Sequence, residues 1–477
     1  MAGIMSSFVF SSLNLIIAIA GVLLSVFTNL FAWTDIEVKR REYLILNLAY
    51  VFSFLIIIFS QDWLVFFVAW EMVTITTSLM LIWRGKELAT QYFIVQFLGS
   101  SFLLLIILVA ISQGYTEIQA IGDTWLQNLF IFGLGMKSAI FGLHFWLPAI
   151  YSQASVIFNA VSSGWVVKLG FITMLKLITE GNNLLLVLGL LMAFYGGIKA
   201  LMASNYKVLL AYSSISHLGY IAIGIGSGTI YGYLGSILHI IAHGLAKSGL
   251  FLGSANLIKG YGSSSIYEFK DMWSRYKMTS LGILISFASL MGFPVLAGFN
   301  SKYLIKYGFE NRLFFSIILY AASLLTALYS VRFLYWGIFR DLISWEKRDS
   351  KLSSGQIGKR EYLVLAMIIV LLISLGFYSG TIVNMFEKIE FQYNFLKGFL
   401  EISAFTVASI LILKGISWNK TPHGTEPSLD KLFNNINRIL FKNGQFIYNL
   451  VYQEFQYQLL WIPLFLIILL FWTLLII

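Results

Sequence analysis

The sequence predicts an all-α polytopic membrane protein of about fourteen transmembrane helices, read in windows of roughly 19 residues. Three observations carry that prediction. The first is composition: 58% of the residues are hydrophobic, 11% are charged and the mean hydropathy is +0.82, far from the balance of a soluble domain. The second is recurrence, since apolar segments long enough to cross ~30 Å of hydrocarbon follow one another from residue 10 to the last residue. No long polar block between them would fold as a separate soluble domain. The third is loop charge, which alternates along the chain.

The first span is expected at 10–33. It has no basic segment ahead of it and no small-residue cleavage site, so it reads as a retained span and not as a signal peptide. Spans two to four follow at 42–60, 63–82 and 90–113, divided by short polar turns at Gln61 and Arg84. The fifth, 125–144, is interrupted. Spans six to nine lie at 156–178, 183–203, 207–226 and 231–258. The tenth, 278–307, is interrupted again, and spans eleven to fourteen fall at 312–338, 361–384, 395–415 and 457–477.

One set of loops holds Lys39, Arg40, Arg41, Arg84, Lys86, Lys207, Lys270, Arg275, Lys277 and the basic stretch from Arg340 to Arg360. The alternate set holds Glu117, Asp123 and Glu180, with few bases such as Arg312 and Lys388. The positive-inside rule makes the first set cytoplasmic, which puts both termini outside and requires an even number of spans. Topology thus accounts for the net charge of +10, and nucleic-acid binding is not expected. With no cysteine, the chain offers no disulfide, thiolate metal site or Cys-ligated cluster.

The fifth span reads LGMKSAIFGLHFWLP, where Gly142 and Pro148 are expected to break the helix, and the tenth reads LMGFPVLAGFNSKYLI, where Pro294 and Gly298 do the same. Each break sits beside a lysine. Grouping spans two to six and seven to eleven puts the broken helix fourth in each group of five, and an odd group size inverts one copy relative to the other. That is the inverted-repeat arrangement of transporters, with unwound backbone beside the ion path; ordinary kinks falling in register by chance are the alternative. The expected organisation is an N-terminal span (1–41), a first repeat (42–178), a second repeat (179–338), accessory spans (339–425) and a C-terminal unit (426–477). In that last unit Leu432, Phe433, Ile436, Ile439 and Leu440 recur at helical spacing among charges and amides, as in an amphipathic lateral helix along the cytoplasmic face. A solvated linker is the alternative, because Gly444 interrupts the pattern.

Ionisable residues inside these spans are the most informative feature. Glu71 lies within span three, Lys137 within span five near its break, and Lys168 within span six. His239, His243 and Lys247 stand at i, i+4 and i+8 in span nine, and Lys302 follows the break of span ten. Helical geometry stacks the span-nine column on one face, which is tolerable in a bilayer only where water or polar partners reach it. A Glu and a Lys that meet can both stay charged, so Glu71 and Lys137 are expected to pair across spans three and five. Lys176, Lys199, Lys259 and Lys306, nearer span ends, are expected to snorkel to the headgroups. His217 is a weaker candidate, explicable as a hydrogen bond across helices, and His144, beside the first break, is a further possible one.

Several lysines and histidines with one acid suit proton handling. Desolvated lysine falls by several units from about 10.4 and histidine starts near 6.5, so both load and release protons near neutrality when a neighbouring charge moves. No Ser-His-Asp grouping, HExxH, Walker loop or dinucleotide fingerprint on a strand is present, so redox or hydrolytic chemistry on this chain is not expected.

The ordered segments VAWEMVTITTSLML, GMKSAIFGLHFWLP, WVVKLG, NYKVLLAYSSISHLGY, HIIAHGLAKSGLF and GFPVLAGFNSKYLI resemble the antiporter-like subunits shared by complex I, Mrp-type sodium/proton antiporters and energy-converting membrane-bound hydrogenases. The resemblance covers roughly residues 60–310. It implies a pair of half-channels moving protons, or sodium and protons, within a larger redox-driven or Mrp-type complex in the cell membrane of a prokaryote. It implies neighbouring membrane subunits as partners, among them a related antiporter-like or small multi-span subunit, with lipid around them and no cofactor or metal on this chain. By motif, Glu71 is the acid paired with Lys137, Lys168 the next lysine, Lys247 with His243 and His239 the central relay, and Lys302 the exit-side group. The sequence departs from the family where Gly142 replaces a usual proline, Ala149 an acid and Ser162 a histidine. Two other readings stay open on sequence: a stand-alone secondary cation/proton antiporter, and a structural subunit whose buried charges hold helices together without conducting.

Overall fold

A computed structural model describes residues 2–32, 39–339, 358–386 and 394–415. The expected lateral helix at 426–456 and the fourteenth span at 457–477 lie outside these residues. Among the described residues the regular elements are helices. In chain order they are α1 (Ala2–Ala32), α2 (Arg40–Phe59), α3 (Trp63–Leu81), α4 (Lys86–Ser112), α5 (Thr124–Gly135), α6 (Trp146–Gln153), α7 (Val156–Gly164), α8 (Leu169–Leu177) and α9 (Asn183–Met202). There follow α10 (Tyr206–Gly226), α11 (Ile230–Tyr261), α12 (Met272–Arg275), α13 (Lys277–Met291), α14 (Ala297–Tyr307), α15 (Leu313–Leu334), α16 (Lys359–Phe386) and α17 (Phe395–Gly415).

Eleven helical segments among the described residues are long and apolar enough to cross a membrane. The pairs α5/α6 and α13/α14 stand where the two interrupted spans are expected. Together they occupy the positions of the first thirteen spans of the sequence reading.

Polar residues just outside the apolar runs set the helix ends. Asp62 Oδ1 accepts the Val65 N–H at 2.8 Å, Asn182 Oδ1 the Leu185 N–H at 3.0 Å and Thr229 Oγ1 the Gly232 N–H at 3.1 Å, each satisfying an otherwise orphaned donor of a first turn. Cations close some of the opposite ends, where carbonyls lack partners and the helix dipole is negative. The Arg332 guanidinium, nearly fully buried, donates to Leu201 O, to Ala203 O at 2.9 Å and to Tyr267 Oη at 3.1 Å, and so clamps the end of α9 to α15.

The centre of the bundle is α11, whose apolar window is wholly buried, whereas that of α17 is largely exposed. Around α11 pack α7, α10, α13, α14 and α16. Between α9 and α10 the backbones touch: a Cβ on Gly196 would stand 2.5 Å from Ser216 N, and one on Gly219 2.6 Å from Ala193 N. Without a hydrophobic drive between helices in lipid, such small-residue contacts supply the packing. Large exposed apolar side chains such as Ile45, Phe52 and Leu313 suit contact with acyl chains.

Both expected breaks are present. The first runs from Met136 to Phe145, with Ala139 at φ 51° and Gly142 at φ 89°. The second follows Met291, with Gly292 at φ 90° and Val295 at φ 74°. Gly142 and Pro294 lie inside the breaks, but Pro148 and Gly298 belong to the first turns of the resumed helices α6 and α14. Pro148 is tolerated there because first-turn N–H groups have no intrahelical acceptor. Gly298 is needed for approach: its N–H donates to Ser289 Oγ at 3.1 Å, and a Cβ would meet Ser289 O at 1.8 Å. Span six carries a third interruption that sequence reading missed, a 3₁₀ turn at Val166–Lys168 between α7 and α8.

Candidate functional site

Glu71 sits on α3, 6% exposed, and Lys137 in the first break, 2% exposed. The expected contact ion pair does not form. Lys137 Nζ instead donates to Trp70 O at 2.9 Å and Thr74 Oγ1 at 2.8 Å, with the Trp70 ring 4.2 Å beneath it. The ammonium therefore docks on the turn of α3 that carries Glu71, beside the carboxylate and not on it. The physical reason is local: Trp70 O and the Thr74 hydroxyl lie one residue before and three after Glu71, offering short bonds plus a π face to a desolvated cation. His144, 1% exposed, belongs to the same break, where its Nδ1 accepts the Gly142 N–H at 3.2 Å and its ring stacks on Phe141.

Lys168 is fully buried at the third interruption. Its Nζ donates to Ser163 O at 2.5 Å and Gly164 O at 2.6 Å, carbonyls freed because α7 stops at Gly164. A cation at that helix end is favoured by the dipole as well as by the bonds. Ser163 Oγ meets Ser214 Oγ on α10 at 2.8 Å, and the neighbouring Ser213 Oγ accepts from Lys247 Nζ at 2.5 Å, with Leu210 O a second acceptor at 2.9 Å. Ser214 Oγ donates to Leu210 O at 2.8 Å, the carbonyl that also accepts from Lys247, so Lys168 and Lys247 lie in one polar patch that spans three helices and is joined in part by backbone carbonyls.

The column on α11 faces protein and not lipid, with His239 at 1% and His243 and Lys247 at 0% exposure. His243 stacks near His217 and His239, with ring centroids 5.2 and 6.0 Å away. Beyond it a hydrogen-bonded line runs from Tyr329 Oη to His217 Nε2 (3.0 Å), from His217 Nδ1 to His239 Nε2 (3.0 Å) and from His239 Nδ1 to Ser301 Oγ (2.9 Å). Ser301 ends this line, and the orientation of its hydroxyl decides which way the line runs. With its hydroxyl donating to Gly298 O at 3.0 Å, it accepts from His239 Nδ1–H. A neutral His239 then has only Nε2 to accept from His217 Nδ1–H, and His217 Nε2 accepts the Tyr329 hydroxyl. His217, a weaker candidate on sequence, is therefore central to the cluster.

Lys302, next to Ser301, is 2% exposed; its Nζ lies 3.4 Å from Thr326 Oγ1 and 4.6 Å above the Tyr220 ring. The snorkelling expectation fails for Lys306, whose ammonium is ion-paired with Glu401 on α17, because α17 covers that end of α14 and supplies a carboxylate. Lys176 likewise reaches Ile58 O at 2.6 Å, closing the end of α2, while Lys259 is exposed. Ser163, Ser213, Ser214, Ser301, Tyr329 and Glu401 were not singled out from the sequence. Serine and tyrosine are common in membrane helices, and only the packing shows which of them join the charges.

Residues 60–326 match the family model described as NADH:quinone oxidoreductase/Mrp antiporter, transmembrane region. Subunit M of the NADH-quinone oxidoreductase of Escherichia coli is 26% identical over 420 residues, covering 80% of this chain and 81% of that protein. The fold is similar to a chain of the Mrp complex from a Dietzia species, at TM-score 0.70 and 18% identity over 85% of each chain. It is also similar to a chain of an archaeal membrane-bound sulfane sulfur reductase, at TM-score 0.67 and 22% identity over 82% of each chain.

Proposed function

The chain belongs to the NADH:quinone oxidoreductase/Mrp antiporter family, and from that premise we propose that it carries protons through the membrane along its buried lysine and histidine row. It is an antiporter-like membrane subunit, as its relatives are, and it acts within a multisubunit complex. The observation that carries the reading is the directed line Tyr329–His217–His239–Ser301, flanked by Lys247 and Lys302.

In this reading a proton enters from the Glu71–Lys137 side and passes by Lys168 and the polar patch of Ser163, Ser213 and Ser214 to Lys247. His243, one helical turn from both Lys247 and His239, relays it to the paired imidazoles, and Lys302 receives it. Two unit charges 10 Å apart at an effective dielectric of 20 interact by about 1.7 kcal/mol, slightly more than a tenfold change in proton affinity. Charging one lysine therefore favours release from the next, and a charge movement imposed by a neighbouring subunit propagates along the row. The Ser301 hydroxyl is a gate: while it points at Gly298 O, which cannot pass a proton on, the line is closed toward Lys302, and rotation opens it.

Spans two to six and seven to eleven act as two half-channels in inverted copies, supported by a break at the same place in each. The Lys- and Arg-rich loops face the cytoplasm of a prokaryotic cell, both termini lie outside, and Glu117, Asp123 and Glu180 face outward, supported by the charge alternation. Redox chemistry belongs to other subunits. Residues 426–477 brace a neighbour, so truncation after residue 415 should weaken association while leaving the relay intact; a truncated chain that assembles and pumps normally would rule the brace out.

The test is ion uptake by inverted membrane vesicles energised through the assembled complex, with this chain isolated in mild detergent to identify what accompanies it. Sodium-independent acidification of the lumen is expected. Uptake by the purified single chain, without partners, would replace the reading with a stand-alone carrier.

A further inference from the structure

The row described above ends at Lys302, still inside the bundle. One turn further along α14 stands Lys306, on the same face and about 6 Å nearer the C-terminal end of that helix, which lies on the side of the acidic loops. Its ammonium is paired with Glu401, and the two side chains are 13% and 16% exposed. The Tyr320 ring lies 4.7 Å from the ammonium. Glu401 is about 9 Å, or six residues, from the start of α17 and so close to the same face. A cavity of about 10 Å³, room for roughly one water, joins Gly292 of the second break to Lys302, Lys306 and Glu401.

We propose that Lys306 and Glu401 form the outer exit of the relay, an inference that rests on the reading of the chain as a proton carrier. A proton leaves the Lys302 ammonium, crosses one water in the cavity and binds the Glu401 carboxylate. This gives a neutral lysine amine and a neutral carboxylic acid. Lys306 keeps its own proton throughout and is left as an uncompensated cation in a poorly solvated site. That charge drives Glu401 to release the proton to the outer water, which restores the ion pair. The pair is thus closed at rest and opens once per proton, blocking back-flow without a moving lid. Glu401 would otherwise be only a staple fixing α17 to α14, and the experiment must separate these roles.

Glu401→Gln, the paired change Lys306→Met with Glu401→Met, and Glu401→Asp are compared in the assembled complex for driven proton uptake and for integrity in mild detergent. A relay group is expected to cost about tenfold or more in rate when removed, so Glu401→Gln should fall by that factor and Glu401→Asp should recover most of it. The apolar pair should assemble, since replacing a buried ion pair by packed apolar side chains is often neutral, yet still fail to pump. Wild-type pumping by Glu401→Gln or by the apolar pair would overturn the proposal and leave the staple. Because the chain contains no cysteine, Tyr303→Cys adds a readout that does not depend on assembly of the Glu401 variants. A membrane-impermeant thiol reagent should label it from the side of the acidic loops. Labelling from the basic-loop side alone, or from neither, would overturn the exit. Lys247→Met is the control: if it pumps normally the carrier reading itself fails, whereas its failure beside a normal Glu401→Gln removes only the exit assignment.

Discussion

Ser301→Ala perturbs the relay at the atom that sets its direction. The hydroxyl accepts from His239 Nδ1 at 2.9 Å and donates to Gly298 O at 3.0 Å. Its removal leaves the His239 N–H, on a ring 1% exposed, without an acceptor, at a cost of about 1–3 kcal/mol. His239 can avoid that cost by moving its proton to Nε2, but this N–H then opposes His217 Nδ1–H across 3.0 Å. His217 must flip its own tautomer in turn, so that its Nε2–H donates to the Tyr329 hydroxyl, and His239 Nδ1 is left as a buried acceptor without a donor. Either way the line carries a defect of about 2 kcal/mol, which is about thirtyfold in the population of the connected state. Proton uptake by energised inverted vesicles, followed with a pH-sensitive dye, should fall by about that factor. The complex should stay intact, because a loss of about 2 kcal/mol is local and the packing around α14 is unchanged. Ser301→Thr, which keeps a hydroxyl, should retain most of the rate. Wild-type uptake by Ser301→Ala would refute the directed line.

Other consequences can be checked in the same vesicles. Tyr329→Phe removes the partner of His217 Nε2 and should slow uptake less than Ser301→Ala, since the bonds from His217 to His239 and from His239 to Ser301 keep their donors and acceptors; an equal or larger loss would place the gate at Tyr329. Glu71→Gln should assemble, because Lys137 stays docked on Trp70 O and Thr74, but uptake should fall; unchanged uptake would remove Glu71 from the path. Gly298→Ala puts a methyl group 1.8 Å from Ser289 O, and overpacking of this kind costs about 1–3 kcal/mol or more. Reduced assembly at elevated temperature is the expected outcome, and a chain as heat-resistant as the wild type would show that the second break is plastic.

Much of this was legible in the sequence, for physical reasons that also mark where legibility stops. Hydrocarbon thickness fixes span length, so the first thirteen spans could be placed from apolar runs alone. Gly142 and Pro294 signalled two breaks because they are poor helix residues, whereas the turn at Val166–Lys168 has no proline, and Gly164 alone is common in membrane helices. The column His239, His243 and Lys247 was visible because one helix repeats every 3.6 residues. Its partners were not, since Ser301 and Tyr329 reach it from α14 and α15, and no spacing along the chain encodes which serine faces which histidine. The same limit explains Lys306. Near a helix end it reads as a snorkelling lysine, and only the packing of α17 brings Glu401 to it.

Lys247→Met tests the central claim most directly, because it removes a fully buried ammonium and its bonds to Leu210 O and Ser213 Oγ while nearly keeping the side-chain volume. In complexes shown by mild-detergent isolation to be intact, the proton-relay account predicts that energised vesicles lose proton uptake by at least about tenfold. Intact complexes that pump at the wild-type rate with methionine at this position would contradict it and leave the buried charges with a structural role alone.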